Sequence, residues 1–173
     1  NKLCKFDLTI STAYVAPDGF RKQVYTINGQ CPGPVLEVVE GAKVIVRIHN
    51  RLNYITSIHF HGTRQLNTWY NDGATLVTMC PMAPNSSFMH EFIAEPVGTH
   101  WYHEHARLVY ADCLYGMFII HPKSQVPPPL PEYHVTANDW HHVPVDTLYG
   151  DCACPPPPPP TLGPGAPHQQ ECL

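Results

Sequence analysis

Residues 43–50 read KVIVRIHN. Val44, Val46 and Ile48 alternate with Lys43, Ile45, Arg47 and His49, the period-two pattern of a strand with one face in a core. Residues 5–11, KFDLTIS, repeat it, setting Phe6, Leu8 and Ile10 against Lys5, Asp7 and Thr9. Between these runs lie Pro17-Asp18-Gly19, Asn28-Gly29, Pro32-Gly33-Pro34 and Glu40-Gly41, turn signals too closely spaced to admit an ordinary helix. Further strands are expected at SIHFHG (57–62), SSFMHEFIA (86–94), GTHWYHEH (98–105) and GMFIIHP (116–122). Short strands at regular spacing predict an all-β sandwich or barrel over residues 1–125.

The patterning then changes. SQVPPPLPEY (124–133) has the proline density of an extended linker. EYHVTAND (132–139) reads as one more strand, so residues 126–150 are expected to form a linker and the first strand of an incomplete second domain. Residues 151–173, DCACPPPPPPTLGPGAPHQQECL, read as a low-complexity tail whose six successive prolines favour polyproline II.

Composition narrows the function classes. The 173 residues carry a net charge of −4, and their ten Lys and Arg residues form no cluster, so no nucleic-acid partner is implied. No apolar run approaches the ~20 residues of a membrane span, and a soluble protein is expected. The first residue is Asn1 rather than Met, which fits a processed or partial product. The seven cysteines include no paired Cys-x-x-Cys zinc arrangement, and Asn85-Ser86-Ser87 is a glycosylation sequon. Together they predict a secreted, disulfide-bearing chain with at least one thiol free or paired elsewhere.

Histidine carries the chemistry. His59 and His61, two apart on a predicted strand, leave the same face, while Phe60 points into the opposite layer. His103 and His105 repeat the arrangement, with Glu104 directed away. Four imidazoles with no carboxylate or thiolate in reach of the motif favour copper or zinc over magnesium or calcium. The other histidines, among them His49, His90 and His100, lack a partner at strand spacing and read as surface or packing residues. A cupin would need a Glu shortly after the first pair, and HFHGTRQLN supplies none. A blue-copper site needs Cys followed closely by His and Met; Cys113 is followed by Leu114, Tyr115, Gly116 and Met117 with no His between.

SIHFHG, YNDG (70–73), TMCPMAPNSSF (78–88), GTHWYHEH and LYGMFIIHP (114–122) resemble, in order and spacing, the first cupredoxin domain of laccase-like multicopper oxidases. YTINGQCPGPVLEVVEGAKVIVRIHNRL (25–52) is similar to the strand pair preceding the first His pair in that family, and VTANDWHH (135–142) to the start of its second domain. The resemblance implies copper, with His59 as a type 2 ligand and His61, His103 and His105 as type 3 ligands. It implies oxidation of phenol-type reductants coupled to reduction of O2 to water. Asp72 falls where the family keeps an acidic residue suited to proton delivery; the same residue also reads as an Asp-Gly turn. Family members take the remaining cluster ligands and the type 1 copper ligands from a third domain, so this sequence supplies half the trinuclear set. Partner domains or self-association would have to supply the rest, and the isolated chain is expected to be inactive. The alternative is a non-catalytic secreted metal-binding or structural module. Cys80 resembles a cysteine that several relatives bond to another domain. Cys31 and Cys113 depart from the family, standing where an apolar residue and a glycine are usual.

Overall fold

A computed structural model describes residues 2–124 and 131–153, the last three by backbone alone. Eight strands form the fold: β1 (Leu3–Val15), β2 (Lys22–Ile27), β3 (Leu36–Val39), β4 (Lys43–Asn50), β5 (Ile58–His61), β6 (Ser87–Ile93), β7 (Gly98–Glu104) and β8 (Tyr115–His121). They make two four-stranded sheets, ordered β2-β1-β4-β6 and β3-β8-β7-β5. β1 with β4 and β3 with β8 are parallel pairs, so the chain crosses between sheets rather than running as a meander. This is the all-β, two-sheet sandwich expected from the alternation, in the cupredoxin form that the resemblance implies.

The alternation also selects the core. Leu8, Ile10, Val44, Val46, Ile48 and Phe92 from one sheet meet Phe60, Tyr102, Phe118 and Ile120 from the other, all essentially inaccessible to water. Phe60 sits at the centre, with ring centroids 4.9 Å from Phe92 and 5.7 Å from Phe118. Burying side chains of this size contributes about 1.5–3 kcal/mol each. Phe60 lies between His59 and His61, so the anchoring of one face of β5 fixes where the other face presents its imidazoles.

One expectation fails. Residues 131–141 form no strand, and residues Val145–Ala153 form a helix, α1, that extends past the predicted tail boundary at 151. A strand needs an edge to pair with. This stretch instead runs over the surface, where the Asn138 amide donates to the Ala111 carbonyl at 3.3 Å. Trp140 lies beneath Lys22 Nζ, 5.2 Å from its ring centroid. Pro144 opens α1, and the Asp112 carboxylate accepts from Val145 N–H at 2.8 Å while pairing with buried Lys22 at 2.5 Å. Pro144 followed by Asp146 was the available helix-start signal. The predicted linker at 126–130 and the polyproline run lie outside the described residues.

Candidate metal centre

The antiparallel register of β5 against β7 places His59 directly opposite His103 and His61 opposite Trp101. Directly paired residues on one sheet face have Cβ atoms about 4.5–5.5 Å apart, so two His-x-His pairs distant in sequence become one cluster. Ligand nitrogens of His59, His61 and His103 all lie within 4.8 Å of one another. His105 follows the end of β7 and stands beside these three, its ring 5.2 Å from that of His59 and 5.8 Å from that of His103.

Hydrogen bonds commit one nitrogen of each central ring. His59 Nδ1 lies 2.8 Å from the Asp72 carbonyl and 3.0 Å from its carboxylate. His103 Nδ1 donates to the Glu104 carbonyl at 2.8 Å. With the proton held on Nδ1, each Nε2 presents a lone pair. His61 Nδ1 lies 3.2 Å from His103 Nε2, within the span of two nitrogens bound to one ion at ~2.0–2.1 Å each. Three imidazoles with ligand atoms this close together, and no carboxylate or thiolate among them, fit copper or zinc.

The electrostatics are uneven. Burial pushes His103 down to about 4, against the pull of the Glu104 carbonyl. His61 is also lowered, by burial first and then by His59 and His105. For His59, burial favours the neutral ring, but the carboxylate and carbonyl of Asp72 outweigh it and raise the pKa. Among His59, His61 and His103, a metal therefore competes with a proton chiefly at His59.

Asp72 reaches His59 because the chain turns at Gly73. There φ is +89°, and a Cβ would lie 1.8 Å from the Ile58 carbonyl oxygen, so only glycine lets the loop lie against β5. Asp72 is thus both a turn residue and a histidine partner. Glu104 points away from the cluster, as read from the sequence, and is buried; one carboxylate oxygen accepts from Ala106 and Arg107 N–H at 2.6 and 2.8 Å, folding the chain where His105 leaves β7. Burial pushes Glu104 up to about 7, against those two bonds.

Several neighbours were not singled out from the sequence. Trp101 stacks on His103 at 3.9 Å, and Tyr110 approaches the same ring edge-on at 5.5 Å. Both also line a cavity of about 450 Å³ between β7, β8 and residues 136–138. His90, read as a packing or surface residue, is fully buried on β6 and hydrogen-bonds the Asn71 carbonyl at 2.6 Å. Cys31 and Cys113, each a departure from the family pattern, form a disulfide with Cα atoms 5.4 Å apart. Cys80 is exposed and has no disulfide partner among the described residues, and Asn85 occupies an exposed turn before β6, outside the cluster.

Comparison with known proteins agrees with this geometry. The family model described as multicopper oxidase matches residues 9–125. Multicopper oxidase MCE of Talaromyces pinophilus is 43% identical over 122 residues, 70% of this chain and 20% of that protein. Dihydrogeodin oxidase of Aspergillus terreus is 38% identical over 149 residues, 85% of this chain and 25% of that protein. The crystal structure of Fet3p, a multicopper oxidase that functions in iron import, superposes with a TM-score of 0.76 at 34% identity, covering 88% of this chain and 30% of that one. The crystal structure of the laccase from Botrytis aclada superposes with a TM-score of 0.75 at 31% identity, covering 91% and 30%. The chain spans about a fifth to a quarter of the length of these two curated relatives. Two sheets in cupredoxin order, with converging imidazoles at the end of one of them and this match over most of the chain, place it in a family: the chain belongs to the multicopper oxidases.

Proposed function

We propose that the chain is the copper-binding N-terminal portion of a laccase-like oxidase that couples oxidation of phenol-type reductants to reduction of O2 to water. The observation that carries this reading is the direct cross-strand pairing of His59 with His103, with Nδ1 of each ring tied to a backbone carbonyl. His59 would serve the type 2 copper, and His61, His103 and His105 the type 3 pair. Copper, when bound, supplies the electron storage and dioxygen binding that the reaction requires. The protein's part is to fix the tautomers, to keep Trp101 and Tyr110 packed beside His103, and to hold a carboxylate near the site. Asp72, 3.0 Å from His59 Nδ1, is placed to hold and pass a proton.

These residues supply half a trinuclear ligand set. Activity is proposed for the protein in which they meet the other half, contributed by further cupredoxin domains or by self-association; on its own the present chain is expected not to turn over phenols. A secreted location fits the Cys31–Cys113 bond, and Asn85 is the proposed glycan site. No described helix is long and apolar enough to cross a membrane.

The second reading is a non-catalytic module that binds copper or zinc, favoured by the tight three-nitrogen group within this chain. Turnover of the copper-loaded chain together with the missing cupredoxin domains separates the two. Recovered phenol oxidation supports the oxidase portion, whereas copper or zinc bound with no recovered turnover supports the module.

A further inference from the structure

We propose that His90 is a positioning residue for His59, acting through the backbone of Asn71 and Asp72; the inference rests on the reading of His59 as a metal ligand. Two successive carbonyls of one turn each accept a histidine Nδ1–H. Asn71 takes one from His90 at 2.6 Å, and Asp72 takes one from His59 at 2.8 Å. The same turn is tied to β6 a second time, by the Asn71 amide on the Glu91 carbonyl at 3.1 Å. On its far side Gly73 lies against the Ile58 carbonyl, which leaves the turn no room to move toward β5. The carbonyl and carboxylate of Asp72 are therefore gripped between β6 and β5, and with them the direction of His59 Nε2.

Energetics argue against a pure packing role. His90 is wholly buried between Phe60 and Phe88, with ring centroids at 5.3 and 4.8 Å, and its Nε2 has no partner among the described residues. That nitrogen is desolvated without a partner, a cost the ring bears whatever its Nδ1 does. An apolar ring would fill the same space without that unpaired nitrogen, but it would leave the Asn71 carbonyl without its donor. What histidine adds over phenylalanine is the donor aimed at Asn71, and that donor acts on the turn that orients His59.

The experiment uses the full chain, metal-free, at neutral pH, with long-range proton–nitrogen NMR correlations to read which nitrogen of each ring carries the proton. His59 and His90 are both expected as Nδ1–H. In His90→Phe, His59 should become a mixture of tautomers and the Cu2+ dissociation constant should rise about tenfold. His90→Asn, whose amide can reach the same carbonyl, should restore a single His59 tautomer and bring the affinity to within about threefold of wild type. An unchanged His59 tautomer and unchanged Cu2+ affinity in folded His90→Phe would overturn the proposal. So would a wild-type His90 protonated on Nε2, a result that needs no variant to fold. If the tautomer shifts in His90→Phe but neither protein binds Cu2+, positioning stands and the ligand reading of His59 falls.

Discussion

The two sheets each carry a histidine beside a carboxylate, and the two histidines are used differently. On β4, His49 places Nδ1 2.7 Å from Ser87 Oγ and Nε2 3.0 Å from Asp7, so both nitrogens are spent within the sheet surface. On β5, His59 gives Nδ1 to Asp72 and keeps Nε2 uncommitted, its ring 5.2–5.5 Å from those of three more imidazoles. Proximity to an acid does not mark a metal ligand. A committed Nδ1 together with an open Nε2 in a cluster does.

Four expected outcomes sharpen or break this contrast. The largest concerns Gly73, where any side chain meets the Ile58 carbonyl at a positive φ. Gly73→Ala should destabilise the protein by roughly 3 kcal/mol or more in urea unfolding, and should lower Cu2+ affinity in whatever remains folded. A near-neutral result would mean that the Asp72 turn does not lie against β5. Next comes the disulfide, which joins residues 82 apart in sequence. Replacing the pair with Cys31→Ser and Cys113→Gly should cost about 2–4 kcal/mol, offset in part because glycine suits the left-handed backbone at position 113.

Acid should act through His90, whose burial pushes its pKa down to about 4, against the Asn71 bond. The unfolded chain takes up that proton below pH ~6.5, whereas the fold resists until about 4. Stability should therefore be full above pH ~6.5 and decline by roughly 3 kcal/mol as the pH falls to about 4. His103 titrates in the same window, so urea melts of wild type and His90→Phe must be compared; equal acid losses would sink the assignment. The smallest effect is the copper-induced stabilisation, about 2.7 kcal/mol when copper is present at a hundredfold its dissociation constant. Joint His103→Ala and His105→Ala changes should abolish it, and His49→Ala should leave it intact. Equal thermal shifts in all three proteins would erase the distinction between the two sheets.

The strands were legible because period-two alternation and closely spaced turns point to the same answer. The His pairs were legible because i and i+2 share a face whatever the tertiary context. Position 131–141 misled, since patterning alone cannot say whether an edge waits for the strand. His90 was opaque because its role depends on a turn nineteen residues away, and sequence spacing carries no record of that meeting. The bond between Cys31 and Cys113 was opaque for the same reason. Each cysteine read as a separate anomaly until the fold placed the β2–β3 connection beside the turn that precedes β8.

The central claim is that His59, His61, His103 and His105 form one copper-binding cluster. Pulsed EPR of the chain loaded with one equivalent of Cu2+ tests it most directly, through the coupling of imidazole nitrogens to the metal. The account predicts several coupled imidazoles in wild type and in His49→Ala, and loss of that coupling in His59→Ala and in His103→Ala. Identical spectra from all four proteins, or copper held without imidazole coupling, would contradict it.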